Sequence, residues 1–335
     1  MNFSQNLPLN LHLVHGTLAV SIDRAMMREY LEQERLPMAV QSLEGLILGE
    51  YTIGKCIGEG GMGSVYHATR SDDPTDFAIK VMLPEYIRDE EFRRRFKREG
   101  ALLSQLQHPN IIPVFSYGDE SGYLYYVMRM VKGVSLYDLM QKRRFSPISA
   151  WQILNPVAKA LDYAHSRNVI HRDIKPGNIL IEVVKDGQAT KNQIYLADFG
   201  LSKVLDWTKL TQTGISVGTP EYMSPEQVMD HPLTPASDVY SLCVVVFEML
   251  LGRYPFYDKR PDRLALKHVG EKPPAPSFLH WSFPRALESV VLQGLEKSPE
   301  KRFASANEFS TAYANAVRSL TPEEREAEYY VGKPT

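Results

Sequence analysis

The stretch HRDIKPGNIL, residues 171–180, places a histidine, an arginine, an aspartate, a lysine and an asparagine in eight positions ahead of the apolar pair Ile179-Leu180. A solvated turn needs no such set. Asp173 can accept a hydrogen bond from an attacking hydroxyl, and Asn178, five residues on, offers a hard amide oxygen to a metal ion. Lys175 stands between them, where its charge can offset a transferring anionic group. Twenty residues after Asn178, LADFG supplies Asp198, a carboxylate for a divalent cation. Pro176 stiffens the loop, and Ile179-Leu180 anchor it as a strand. His171, between Ile170 and Arg172, reads as a packed, hydrogen-bonded residue rather than a general base. No His, Cys or Asp grouping has zinc spacing such as HExxH.

Such a metal site makes sense beside phosphates, and GEGGMGSVY at 58–66 is the stretch able to hold them. Gly58, Gly60 and Gly63 let backbone amides approach a phosphate with no side chain in the way. A Rossmann turn should lead into a helix, whereas SVYHATR reads as a second strand. A Walker loop needs Lys-Ser/Thr after its last glycine, and Gly63 is followed by Ser64-Val65. A flap between two strands fits better, with a plain glycine-rich hairpin as the alternative. In FAIK, the period of two puts Ala78 and Lys80 on one strand face. A small residue beside a lysine suits a flat base and an anionic phosphate. Phe92, Phe96, Glu99, Leu103 and Leu106, spaced 4, 3, 4 and 3, form one helical stripe. Glu99 is the one carboxylate on that stripe, so a buried cation is expected opposite it, and Lys80 is the natural partner. Arg93, Arg94, Arg95 and Lys97 lie mostly off the stripe, as a solvated face.

The elements that must position these groups divide the chain. Leu9, Leu11 and Leu13 alternate before His15-Gly16, as a strand and turn do. SIDRAMMREYLEQERLP reads as a helix capped by Ser21 or Asp23 and stopped at Pro37. Residues 1–48 therefore form an extension without visible chemistry. Strand patterns run from Tyr51 to Val131, interrupted by one helix that ends at His108-Pro109. Helical patterns dominate after Gly133, including the apolar SLCVVVFEMLLG. Strands followed by helices indicate an α+β fold of two lobes with a junction at 128–133. The segment EVVKDGQATKNQI is expected to be an extended hairpin turning at Asp186-Gly187. The tail from 321 to 335 is polar and is expected to be loose.

Composition narrows the setting. The chain has 335 residues, 44% hydrophobic and 23% charged, with a net charge of −2, so nothing in the balance favours nucleic acid or a membrane surface. Two cysteines, Cys56 and Cys243, give neither a disulfide framework nor metal-ligand spacing, which fits a reduced, cytoplasmic compartment. No apolar run approaches the ~20 residues that span a bilayer. An anchor, if the protein has one, would lie beyond Thr335.

The ordered set GEGGMGSVY, FAIK, Glu99 with HPNI, HRDIKPGN, DFG, GTPEYMSPE, SDVYSL and KRF resembles the Hanks-type serine/threonine protein kinases, most closely the bacterial PknB-like branch. The likeness runs from Tyr51 to Leu320. It implies a bilobal kinase domain over 49–320, with an N-lobe at 49–128, a hinge at 129–132 and a C-lobe at 133–320. It also implies ATP with Mg²⁺, or Mn²⁺ in its place, and protein substrates. By that resemblance Asp173 is the catalytic base, Asn178 and Asp198 are the metal ligands, and Lys80, held by Glu99, contacts the α- and β-phosphates. Ile57, Val65, Ala78 and Leu180 would sandwich the adenine. Met128 would be the gatekeeper, with the Arg129 carbonyl and the Val131 amide as hinge contacts. Lys175 together with Thr219 is the serine/threonine pattern, and Glu226 should pair with Arg302 behind the substrate-docking segment.

Between Asp198 and Glu226 stand Thr208, Thr211, Thr213 and Ser216, and TQTG is similar to the autophosphorylated segment of the bacterial branch. Phosphate on Thr211 or Thr213 could gather Arg172 and Lys203 and order the loop, since a phosphothreonine carries about −1.5 to −2 charge. Trans-autophosphorylation would involve a kinase homodimer. Cys243 stands where relatives often have glycine and reads as a packed thiol, while Cys56 should face away from the nucleotide. Three other readings are a pseudokinase scaffold, a small-molecule kinase and an interaction protein centred on residues 1–48. Intact Lys80, Asp173 and Asp198 speak against the first, and GTPEYMSPE, which docks a polypeptide, speaks against the second. Phosphotransfer after deletion of the extension would separate the third.

Overall fold

The computed structural model describes residues 9–14, 17–22, 42–60, 63–82, 90–186, 189–199 and 220–333. The chain falls into two units, Met1–Glu44 and Gly45–Thr335. In the first, β1 (Leu9–Val14) and β2 (Thr17–Ile22) form an antiparallel hairpin with Leu9 opposite Ile22 and Val14 opposite Thr17. Ser21, expected as a helix cap, is instead a strand residue paired with Asn10, because the alternation of TLAVSI carries the strand through Ile22. The rest of the expected helix lies outside the described residues.

The second unit begins four residues earlier than expected. Gly45 N–H donates to Ile53 O at 2.7 Å and Ile53 N–H to Leu46 O at 2.8 Å. These bonds tie β3 (Ile47–Leu48) to β4 (Tyr51–Gly60), and Leu48 is fully buried. The sheet continues through β5 (Gly63–Arg70), β6 (Asp73–Met82), β7 (Val114–Glu120) and β8 (Tyr123–Arg129), in the order β3-β4-β5-β6-β8-β7. The helix α1 (Glu90–Leu103) buries Phe92, Phe96 and Leu103 of the expected stripe together with Gly100, while Glu99 is half-buried and Leu106 is buried beyond the helix. It stops short of His108-Pro109, with the following turn closed by Ser104 N–H on Gly100 O at 3.0 Å.

The C-lobe holds a three-stranded sheet in the order β11-β10-β9, from β9 (Val134–Ser135), β10 (Ile179–Asp186) and β11 (Ala189–Leu196). Asp186, expected in the turn, is instead a strand residue paired with Ala189, and Gly187 lies outside the described residues. Ser135 and Ser146 cap α2 (Leu136–Lys142) and α3 (Pro147–His165). At the centre lies α5 (Pro235–Leu251), in which every residue from Ser237 to Leu251 is buried, as an all-round apolar helix must be. Gly252 ends it at φ 69°, a left-handed cap that only glycine adopts without strain. Against it pack α3, α4 (Pro225–Val228), α8 (Arg285–Gly294) and α9 (Ala306–Ser319), while α6 (Pro261–Gly270) lies on α4, α7 (Pro276–Leu279) on α8 and α10 (Pro322–Glu326) on α3. Cys243 is fully buried, and its thiol fills the space where a side chain on Gly294 would stand. Burial pushes that thiol well above its ordinary pKa, which leaves it unreactive.

The tail is not loose. Tyr329 is buried against Phe283, with ring centroids 5.1 Å apart, and its hydroxyl donates to Glu324 O at 3.1 Å. Aromatic anchors in a polar stretch override the composition. Among the described residues no helix is long and apolar enough to cross a membrane.

Candidate active site

The loop 171–178 is held from beneath by one carboxylate. Asp238, at the head of α5, accepts the His171 N–H on Oδ2 and the Arg172 N–H on Oδ1, each at 2.8 Å, and His165 Nε2 lies 2.7 Å from Oδ2. This grip offsets the backbone of Arg172, whose φ is 71°, a conformation costing about 1–3 kcal/mol in a non-glycine residue. Burial would raise the Asp238 carboxyl, but His165, His171 and the Arg172 N–H outweigh it and hold it below the usual range. His171 is fully buried, its Nδ1 accepting the Asp173 N–H at 3.3 Å and its Nε2 donating to Ala197 O at 2.8 Å. That pattern fixes the neutral Nε2–H tautomer, and burial lowers its pKa further. It is a packed residue of the loop, not a base.

Asn178 donates its amide N–H groups to Asp173 O (2.7 Å) and Asp173 Oδ2 (2.9 Å), and Lys175 Nζ is 2.8 Å from the same Oδ2. The Asn178 amide oxygen is the atom left to a cation. Asp198, also left-handed at φ 58°, accepts Lys80 Nζ on Oδ2 and the Tyr126 hydroxyl on Oδ1, both at 2.8 Å. Burial raises this carboxyl, yet Lys80, Tyr126 and Lys175 together hold it below the ordinary carboxylate range. An ionised carboxylate and an amide oxygen are hard donors of the type that a small divalent ion takes alongside phosphate and water oxygens. The residues present therefore fit a divalent ion.

Lys80 does not pair with Glu99 as expected. Its ion pair is with Asp198, and Glu99 Oε1 lies 3.7 Å from Arg172 Nη1. The reason is geometric: the Glu99 carboxylate is directed to the loop 171–178, where it meets the Arg172 guanidinium. Arg172, expected in a phosphate pocket, has its charge offset by Glu99 in this arrangement.

On the apolar side, Ala78 and Met128 are buried in one cluster with Tyr126, Tyr195 and Ala197, and Val65, Val131 and Leu180 pack against it. Ile57 does not join them and is 47% exposed. Bulges between Ile53 and Cys56 and between Cys56 and Gly58 break the strand's alternation there. Exposed Cys56 donates its thiol to Gly58 O at 3.5 Å. Gly63 must be glycine for the fold alone, since a Cβ would run into the Val81 carbonyl, whereas Gly58 and Gly60 have room for one. Packing does not explain their bareness. In the hinge, the Val131 N–H makes no hydrogen bond among the described residues, while Arg129 Nη2 is engaged by Glu182 Oε2 at 3.0 Å.

Below the catalytic loop, Arg302 Nη1 and Nη2 meet Glu226 Oε1 and Oε2 at 2.8 and 2.9 Å, a bidentate buried pair. Gln227 Nε2 donates to Arg172 O at 2.7 Å, linking α4 to the loop. Lys203, Thr208, Thr211, Thr213, Ser216 and Thr219 lie outside the described residues. Sequence reasoning missed Asp238, Tyr126 and His165. Asp238 had a signal, as one of two acids, with Glu248, in the apolar run that begins SDVYSL; Tyr126 had none, because only folding brings it to Asp198.

The protein kinase domain family matches residues 51–313. The serine/threonine-protein kinase PknH of Mycobacterium tuberculosis is 37% identical over 282 residues, covering 83% of this chain and 44% of its own. PrkC of Bacillus subtilis is 36% identical over 263 residues, covering 78% of this chain and 40% of its own. The chain thus spans less than half the length of these curated relatives. The crystal structure of the Mycobacterium tuberculosis PknI kinase domain superposes with a TM-score of 0.65 at 28% identity, covering 82% of this chain and 98% of that one. Shared motifs, shared architecture and the match over 51–313 lead to one conclusion: the chain belongs to the protein kinase domain family.

Proposed function

We propose that this chain transfers the γ-phosphoryl group of Mg²⁺-bound ATP to serine or threonine hydroxyls of polypeptides. The observation that carries the reading is that two bonded sets, Asp173 with Lys175 and Asn178, and Lys80 with Asp198, each held by contacts of 2.7–2.9 Å, stand on neighbouring backbone, the Ala197 N–H donating to Asn178 O at 2.9 Å. Asp173 accepts the proton of the incoming hydroxyl and orients it. Lys175, already on Asp173 Oδ2, turns its charge to the transferring group. Lys80 leaves Asp198 for the phosphates, and Glu99, released from Arg172, becomes its partner. Asn178 and Asp198 would hold the divalent ion, which supplies charge neutralisation at the phosphates. The adenine lies among Val65, Ala78, Met128 and Leu180, with the Arg129 carbonyl and Val131 N–H as hinge partners.

Arg172 freed from Glu99 becomes available to phosphate on Thr211 or Thr213, with Lys203 beside it, so that autophosphorylation by a second copy in trans stabilises the active arrangement. The test is transfer from γ-labelled ATP to polypeptide by the full chain, followed by phosphopeptide mapping. Asp173→Asn should lower turnover by at least ~10²-fold, the scale of losing a general base. Unchanged turnover sinks the assignment of the base, and no label within 203–219 ends the claim about the loop.

A further inference from the structure

One carboxylate on β10 grips the segment 129–132 at both ends. Glu182 is only 8% exposed and stands two residues past Leu180, on the same strand face. Its Oε2 accepts Arg129 Nη2 at 3.0 Å, and its Oε1 accepts the Lys132 N–H at 3.0 Å. The Tyr195 hydroxyl lies 3.4 Å from Oε2, and the Arg129 guanidinium is 5.0 Å from the Tyr195 ring centroid. Arg129 and Lys132 are the first and last residues of the segment, so the two carboxylate oxygens are directed to its two ends.

The flanks of the segment are fixed independently. The Arg129 N–H donates to Pro113 O at 3.1 Å at the end of β8. Beyond Lys132, Gly133 comes so close to β10 that a Cβ would run into the Ile181 carbonyl, and Val134 pairs with Ile181. Lys132 Nζ also meets Asp76 Oδ2 of β6 at 2.9 Å, but the lysine is exposed and such a pair holds little. The Val131 N–H, between the two gripped residues, makes no hydrogen bond among the described residues. A carboxylate as buried as Glu182 needs its charge offset. Arg129 offsets it, and the Lys132 N–H takes the other oxygen in a charge-assisted bond.

We propose that Glu182 is a positioning residue for the nucleobase: by holding Arg129 and Lys132 it sets the direction in which the Arg129 carbonyl and the Val131 N–H face adenine. The proposal rests on the ATP reading above, in which those two groups meet the edge of the base. A site that hydrogen-bonds a ligand group rejects an analogue lacking that group, and it does so only while its own donors and acceptors are held in place. Glu182 acts through the backbone of the segment. Its contribution is therefore to nucleotide affinity and base discrimination, not to the transfer step.

The test uses the full chain as wild type, Glu182→Ala and Glu182→Gln. Titration calorimetry compares Mg²⁺-ATP with Mg²⁺-purine riboside triphosphate, which lacks the exocyclic amino donor. Glu182→Ala should weaken ATP binding by about ten-fold, the scale of one hydrogen bond, and should weaken the analogue much less. Glu182→Gln keeps an acceptor for the Lys132 N–H but loses the charge that holds Arg129, so its loss should be roughly three-fold, half of that free energy; it carries the comparison should Glu182→Ala not fold. In turnover the loss should appear in KM for ATP and not in kcat. In the nucleotide-free chain, hydrogen exchange of the Lys132 amide should quicken in Glu182→Ala and stay slow in Glu182→Gln. Equal losses for the two nucleotides, or a loss confined to kcat, overturn the positioning role. Unchanged Lys132 exchange in Glu182→Ala overturns the grip itself. A wild type that binds neither nucleotide sinks the ATP reading and the nucleobase role with it, a failure distinguished by Lys132 exchange that still quickens.

Discussion

His165 shows how much one side chain carries here. Its Nε2 meets Asp238 at 2.7 Å and its Nδ1 lies 3.8 Å from Asp162. Burial lowers its pKa, but the two carboxylates prevail and raise it to about 9. The folded state therefore holds a proton that the unfolded chain, with a histidine pKa of about 6.5, gives up first. The stabilisation is complete below about pH 6.5 and is lost as pH rises through about 9. Calorimetry should show the melting temperature falling across that interval. His165→Gln should melt lower at pH 7, by on the order of 2–3 kcal/mol, and should flatten the decline. Asp162 and Asp238, both held below the usual range, act in the opposite direction, with stabilisation lost on acidification.

At the scale of elements, α5 is the post from which the site is hung. Its N-terminal turn supplies Asp238 to the loop 171–178, and its last turn both supplies Glu248 to Tyr222 and accepts the Val331 and Gly332 N–H groups on Leu251 O. The α4 segment is tied to the C-terminal helices by Arg302, whose side chain is fully buried and which also donates to the carbonyls of Ala236, Glu296 and Lys297. Arg302→Leu leaves the Glu226 carboxylate buried without its cation. Denaturant titration should show a loss of roughly 3–5 kcal/mol. The double variant with Glu226→Leu should recover only part of it, because the carbonyls remain without a donor.

Across the whole second unit, charge pairs join the lobes. Lys80 and Tyr126, from strands β6 and β8, both hold Asp198, which follows β11 of the C-lobe, and Glu99 of α1 faces Arg172 of the catalytic loop. A divalent ion must displace donors from Asp198 to bind there. Tyr126→Phe removes one neutral donor and keeps the ring, so Mg²⁺-nucleotide should bind about five-fold more tightly, the equivalent of ~1 kcal/mol for one hydrogen bond. Titration calorimetry measures this, and weaker binding would show that the hydroxyl supports the site instead of competing for it.

By itself the sequence determined the groups and the elements that bear them. Residue types at fixed spacing carry their chemistry with them, so Asp173, Lys175, Asn178 and Asp198 were legible in two short stretches. Periods of 2 and 3.6 made β6 and the stripe on α1 legible as well. Only the tertiary structure decided which charges meet. Lys80 had two carboxylates within reach of its strand, and the choice of Asp198 over Glu99 depends on how α1 sits against the sheet and the loop. Ile57 left its expected place because bulges break local periodicity, and the tail docked because two tyrosines found surfaces made by distant helices. Spacing along the chain encodes local geometry, whereas a contact between distant residues exists only after every element between them has packed.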